Sequence, residues 1–309
     1  GDEVVAAAGL YGGTVELFRS LEAYGITTHY VEENRPEAYE KLITDKTKLV
    51  FAETIGNPKL DVTDIAAVAE VAHSHKLPFF VDNTATAYLI RPLTLGADVV
   101  INSSSKYING SSDAISGILT YGGKFDWDFE RYPGLAKYRQ FGKMSYIVKL
   151  RGEFFQNTGA CLSPQNAFLN NLGLETLGLR MERQCKNALA LAEFLEGLDG
   201  TSDVNYPGLP SSPYHELAKK ELDGGYGAIV TFRAGSKERA FRILDALKIP
   251  FLVSNIGDTK TLVIHAASTI AVHLNKEEQK LSGVIRISVG IEDIEDLKED
   301  FKHAIAEAD

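Results

Sequence analysis

Ala97-Asp98-Val99-Val100-Ile101-Asn102-Ser103-Ser104-Ser105-Lys106-Tyr107 is an apolar run that ends in a hydroxyl-rich turn and a lysine. A run of this composition, bounded by Asn and Ser, reads as a buried strand leaving a sheet. A second run of the same kind lies upstream, Leu77-Pro78-Phe79-Phe80-Val81, and it ends in Asp82-Asn83-Thr84. Short apolar runs that alternate with helical periodicity are the pattern of crossover units and a parallel sheet. Working outward, strands are predicted at 4–8, 28–31, 49–53, 78–82, 99–102 and 117–121. Helices are predicted at 14–23, 36–42 and 63–75. The last has Thr63 as N-cap and Ile65, Val68, Val71 and Ala72 facing the sheet.

The remainder reads differently. Residues 122–145, rich in aromatics, charges, Gly and Pro, are predicted to be an excursion rather than a linker. A helical stretch runs from 164 to 198, with a break expected near Gly173, and is long enough to bridge two lobes. After it come predicted strands at 227–232, 251–255, 261–265 and 284–289, and helices at 237–247 and 294–308. The fold class expected is α/β, a mostly parallel sheet flanked by helices, followed by a smaller α+β C-terminal domain. The division is placed between 1–178 and 179–309.

The 309 residues are 44% hydrophobic and 24% charged, enough apolar content to bury a large core. A net charge of −10 argues against a nucleic-acid or anionic-membrane partner. Cys161 and Cys185, both read as helical and structural, form no CxxC pair or disulfide framework, so a reducing, cytoplasmic location is expected. No apolar run is long enough to span a membrane. His73 and His75 are two apart, on different helix faces, and His29, His215, His265, His273 and His303 show no ligand spacing, so no metal site is expected. The chain opens directly on a strand at Gly1-Asp2-Glu3-Val4-Val5, which suggests a fragment of a longer protein.

Four strand-end elements could carry chemistry. Lys106 alone would be a solvated charge, but Ser103 and Ser105 beside it could donate to a phosphate. Asp82, with Thr84 two residues on, sits where open α/β sheets hold ligands, although a carboxylate there also caps turns. Asn57, in Glu53-Thr54-Ile55-Gly56-Asn57-Pro58, could be presented into a pocket or be a plain turn residue. Tyr11, in Gly9-Leu10-Tyr11-Gly12-Gly13-Thr14, could stack on a planar ligand. A lysine amine, phosphate-binding hydroxyls and a carboxylate aimed at a ring nitrogen are the set that pyridoxal phosphate (PLP) requires.

In this order the four elements resemble the Cys/Met-metabolism family of PLP-dependent enzymes. The resemblance extends through 10–14, 52–62 (AETIGNPKLDV), 159–167 (GACLSPQNA), 173–183 (GLETLGLRMER), 204–214, 254–258 (SNIGD) and 285–296 (IRISVGIEDIED). It implies the aspartate-aminotransferase-like fold type I, with 1–178 holding the cofactor. Carried over by residue, it makes Lys106 the Schiff-base lysine, Asp82 the partner of the pyridinium nitrogen and Tyr11 the stacking ring. Ser103, Ser105 and Thr84 become cofactor contacts, and Asn57 a partner of the phenolate oxygen. Arg286 becomes the clamp on the substrate α-carboxylate, with Ser254 and Asn255 beside it. The implied reaction is γ-replacement on O-acetyl-L-homoserine by sulfide or a thiol, giving L-homocysteine (or methionine) and acetate, with Tyr11 assisting proton movement. Alternatives within the resemblance are a cystathionine γ-synthase or γ-lyase, or a truncated, catalytically silent chain. A homo-oligomer is implied, because family members share sites across subunits and draw part of the phosphate cup from a segment ahead of Gly1. Asn102 stands where the family has a histidine, as does Ala271, and the stretch after Asp82 lacks the usual phenylalanine and proline.

Overall fold

Residues 1–270 and 281–308 are described by the computed structural model. The first sheet is built from β1 (Glu3–Ala6), β2 (Thr27–Tyr30), β3 (Thr47–Glu53), β4 (Phe79–Asp82), β5 (Val99–Asn102) and β6 (Ile118–Tyr121). Their order is β2-β1-β3-β4-β5-β6, with every pair parallel except β5 and β6. Helices α1 (Gly12–Leu21), α2 (Pro36–Leu42) and α3 (Ile65–Ser74) join the parallel strands. From β1 the sheet grows to β2 on one side and to β3 on the other. The crevice this leaves at the strands' C-terminal ends is where such sheets bind ligands.

Two helices follow, α4 (Pro164–Glu175) and α5 (Leu177–Glu196). The second sheet has the order β7-β8-β11-β10-β9, from β7 (Ser202–Asn205), β8 (Ile229–Arg233), β9 (Phe251–Leu252), β10 (Leu262–His265) and β11 (Val284–Ser288). It is antiparallel except for β9 with β10. Three further helices are α6 (His215–Glu221), α7 (Lys237–Ala246) and α8 (Ile294–Glu307).

There are two main hydrophobic cores, and α5 belongs to both. Its Leu177, Met181 and Cys185 pack with Val50, Val81 and Val100 beneath the first sheet. Its Ala188, Leu191, Ala192 and Leu195 pack with Phe232, Ile285, Ile287 and Phe301 beneath the second. Leu191 and Leu195 are fully buried, each contributing about 1.5–3 kcal/mol relative to exposure.

Several local expectations change. The N-cap of α3 is Asp64, whose carboxylate accepts from the Ala67 amide at 3.0 Å, not Thr63. The Thr63 hydroxyl donates instead to the Glu53 carbonyl and accepts from Asn34. Helix α4 continues through Gly173 to Glu175, and the break falls at Thr176. Residues 133–144 form 3₁₀ turns over an aromatic cluster, in which Trp127 stacks on Tyr146 and meets Phe125 and Tyr132 edge-on. Cys161 is exposed and outside any helix, whereas Cys185 is buried in α5. Strand β9 ends at Leu252, freeing 253–258 as a loop. Strand β7 and helix α6 were not foreseen. Among the described residues no helix is long and apolar enough to cross a membrane.

Candidate active site

One cleft is lined by Tyr11, Glu53, Asn57, Asp82, Thr84, Ser103, Lys106, Ser254 and Arg286, with Ile55, Ala85 and Ile256 as its apolar wall. The strand ends explain the convergence. In register, Glu53 of β3 pairs with Asp82 of β4, so both carboxylates emerge side by side at the C-terminal edge. One strand further, the backbone leaves β5 and turns through the Lys106 segment.

Asp82 is half-buried, and desolvation raises its pKa against two opposing hydrogen bonds from Thr84. The Thr84 amide donates to Asp82 Oδ1 at 2.9 Å, and the Thr84 hydroxyl accepts from the Ser103 amide at 2.8 Å. Thr84 therefore ties the end of β4 to the Lys106 turn. Ser103 and Ser105 part company. Ser103 lines the cleft, but the Ser105 hydroxyl donates to the Ser116 carbonyl and accepts from the Ser116 amide. In this structure the Ser105 hydroxyl fastens the turn to the strand leading into β6.

The Lys106 amine donates to Asn255 Oδ1. Burial lowers its pKa, and the Arg286 charge lowers it further. Arg286 lies in β11, where Ile285 and Ile287 face the second core and the guanidinium points the other way. It is 1% exposed, and its Nη atoms donate to Asn57 Oδ1 at 3.1 Å and the Asn255 carbonyl at 2.9 Å. Its Nε is buried with no partner, and no carboxylate among the described residues pairs with it. Burial pushes its pKa down to about 10. A buried, underpaired guanidinium facing a cleft is a receptor for a small carboxylate. Asn57 is buried and holds Arg286, rather than standing free. Ser254 is exposed at the rim.

Tyr11 is 47% exposed and precedes α1, and its amide donates to Glu53 Oε1 at 2.7 Å. Glu53 was not singled out from the sequence. It is 7% exposed, and burial together with the neighbouring Asp82 charge drives its pKa well up. A glutamate ending an apolar strand beside the Tyr11 loop was the available signal. Ser112, which accepts from Asn255 Nδ2 at 2.8 Å, was also missed. Ala271 and His273 lie outside the described residues. His265 is buried against Ser268 and the Gly283 amide.

The donor set fits PLP. An amine, a carboxylate at a strand end, an accessible aromatic ring and the Ser103 and Thr84 hydroxyls share the cleft with the underpaired guanidinium.

Comparison with known proteins gives the same picture. Residues 1–306 match the family model described as Cys/Met metabolism PLP-dependent enzyme. Homocysteine synthase of Schizosaccharomyces pombe is 41% identical over 99% of the chain and 76% of the relative. O-acetyl-L-homoserine sulfhydrylase 1 of Thermus thermophilus is 40% identical over 99% and 77%. The structure of O-acetylhomoserine sulfhydrylase from Wolinella succinogenes superposes with a TM-score of 0.85 at 41% identity, covering 98% of this chain and 85% of that one. A putative O-acetylhomoserine (thiol)-lyase from Campylobacter jejuni, solved with a pyridoxyl-lysine monophosphate, gives a TM-score of 0.92 at 34% identity over 99% and 77%.

Proposed function

The chain belongs to the Cys/Met-metabolism family of PLP-dependent enzymes, and we propose that it exchanges the γ-acetoxy group of O-acetyl-L-homoserine for sulfide or a thiol. L-Homocysteine (or methionine) and acetate are the products. The observation that carries the reading is the underpaired Arg286 guanidinium sharing a cleft with Lys106 and Asp82.

PLP, when bound, supplies an electron sink for charge developing at the substrate α-carbon. The chain's own residues do the rest. Asp82 would hold the ring nitrogen of that group and keep a proton on it. Arg286 grips the α-carboxylate with its planar fork, which orients the substrate before any proton moves. Asn255 touches both cations, through its side chain to Lys106 and its carbonyl to Arg286, and so fixes amine and carboxylate relative to each other. The lowered pKa of Lys106 increases the fraction of neutral amine available to take the α-proton, then a Cβ proton as acetate leaves Cγ, and to return both to Cβ and Cα once sulfur has bonded to Cγ. Tyr11 covers the cleft with its ring and assists that transfer. Ser103 and Thr84 would hold the phosphate.

Cytoplasmic residence and a homo-oligomeric state belong to the same proposal. The free Cys161 and Cys185 support the first, and the exposed Phe154, Phe155, Phe168 and Leu172 support the second.

The test is product analysis of O-acetyl-L-homoserine with sulfide, with cysteine and with water alone. Homocysteine from sulfide, abolished in Lys106→Ala together with the PLP absorbance band, is the expected result. If cysteine or water is processed while sulfide yields no homocysteine, the γ-synthase or γ-lyase alternative replaces this reading. A chain that forms no PLP band is silent.

A further inference from the structure

Lys106 sits in a short hydrogen-bonded turn, 104–109. The Lys106 amide donates to the Ser103 carbonyl at 3.1 Å, the Asn109 amide to Ser104 at 3.0 Å and the Gly110 amide to Lys106 at 2.8 Å. One isolated turn is unstable by itself, because nucleation fixes several residues for few hydrogen bonds. Its last carbonyls have no partner within the turn. Those of Tyr107 and Ile108 are met from one side chain on another element, and that of Gly110 accepts from the Thr259 amide.

Arg180, on α5, is 7% exposed. Its Nη1 donates to the Tyr107 carbonyl at 2.7 Å, and its Nη2 to Ile108 at 3.2 Å and Gly173 at 2.7 Å. Its Nε donates to the Thr176 hydroxyl at 3.0 Å. The guanidinium lies flat on Gly110, where φ is +80° and a Cβ would come 2.3 Å from Nη1. No carboxylate hydrogen-bonds it among the described residues, and Asp258 acts on it only as a nearby charge. Burying a cation costs several kcal/mol unless its donors are well used. Here two of its four hydrogen bonds go to the carbonyls of the two residues that follow the reactive lysine, and the other two, to Gly173 and Thr176, anchor the guanidinium to the α4–α5 junction.

We propose that Arg180 is a positioning residue for the reaction: it caps the Lys106 turn from outside and thereby holds the Lys106 amine against Asn255 and within the field of Arg286. The inference rests on the reading of Lys106 as the reactive amine but not on which substrate it serves. Without the cap, the turn frays and the amine moves toward water, away from Arg286. Its pKa then climbs back toward the ordinary lysine value.

The test uses the full chain without added PLP, labelled with ¹³C at lysine Cε, and follows the Lys106 resonance (absent from Lys106→Ala) against pH by NMR. In Arg180→Gln, with the circular-dichroism spectrum of the parent, the Lys106 titration should move up by about one unit, a roughly ten-fold loss of neutral amine at a given pH. Arg180→Lys should move it in the same direction, since one ammonium cannot span both carbonyls. An unshifted titration in a folded Arg180 variant overturns the proposal and leaves Arg180 a purely structural residue. If the Arg180 variants fail to fold, Thr176→Val decides by the same criterion: an upward shift supports the cap and no shift overturns it. Failure of the sulfhydrylation assay leaves this titration unchanged, so the two readings fail separately.

Discussion

Arg286 shows how a residue can be both part of a strand and foreign to it. Alternation along β11 sends Ile285 and Ile287 into the second core and leaves Arg286 facing the cleft, so its place there follows from Ile285-Arg286-Ile287-Ser288 once the strand is recognised. Replacing it by lysine keeps the charge and loses the fork. Charge-assisted hydrogen bonds are worth about 1.5–3 kcal/mol each, so Arg286→Lys should raise KM for O-acetyl-L-homoserine by roughly ten- to a hundred-fold in steady-state kinetics. An unchanged KM would remove Arg286 from carboxylate binding. Lys106, Asp82, Tyr11 and Asn57 were legible because each ends or follows an apolar run. Glu53 and Arg180 were not. Their significance lies in what touches them, the Tyr11 amide and the carbonyls after Lys106, and neither contact leaves a mark in sequence spacing.

Among elements, the junction of α4 with the Lys106 segment departs furthest from its sequence reading. Gly173 reads as a helix break, yet α4 runs through it, and the glycine serves a close approach instead. A Cβ there would lie 2.3 Å from the Ile108 carbonyl oxygen and 2.4 Å from that of Asn109. Two effects therefore oppose each other in Gly173→Ala. Helix propensity favours alanine by up to about 1 kcal/mol, while overpacking against backbone costs about 1–3 kcal/mol or more. Backbone cannot swing aside as a flexible side chain can, so overpacking wins and the variant should show a lower urea midpoint. A stabilised variant would mean that the two elements can separate freely. The same kind of difference explains the strands that were foreseen and those that were not. Strands β3 to β5 each carry a largely buried apolar run, 49–52, 79–81 and 99–101, whereas β7 is the polar edge Ser-Asp-Val-Asn, without the alternation that marks a strand.

For the whole molecule, segments far apart in the chain meet in ways that no local pattern encodes. Glu221, at the end of α6, accepts from the Ile65 amide at the start of α3 at 3.1 Å, beside Asp64, which pairs with Lys220. Burial, with the Asp64 charge, pushes the Glu221 carboxyl up to about 7. Between its unfolded value and about 7, the folded chain holds a proton there that the unfolded chain has released. Stability from this group is thus full at low pH and falls as pH rises through neutrality, by an amount on the order of 2 kcal/mol after allowance for partial exposure. Thermal melts across that range should show less pH dependence in Glu221→Gln than in the parent, and parallel curves would exclude the contact as a pH-linked one. The fold class and the order of the site elements were readable because the parallel sheet leaves periodic apolar runs. The contact between that sheet and the second half of the chain was not, because it joins short apolar pieces such as Ala228, Ile229 and Ile256 with single polar side chains far apart in sequence. Helix α5 has a consequence of another kind. One wall serves two rooms, so neither core can melt without stripping apolar surface from the other, and heat should take both down as one cooperative unit. A protease cut near Lys186, between the turns that serve the two cores, would divide that unit and give each half a melting temperature of its own.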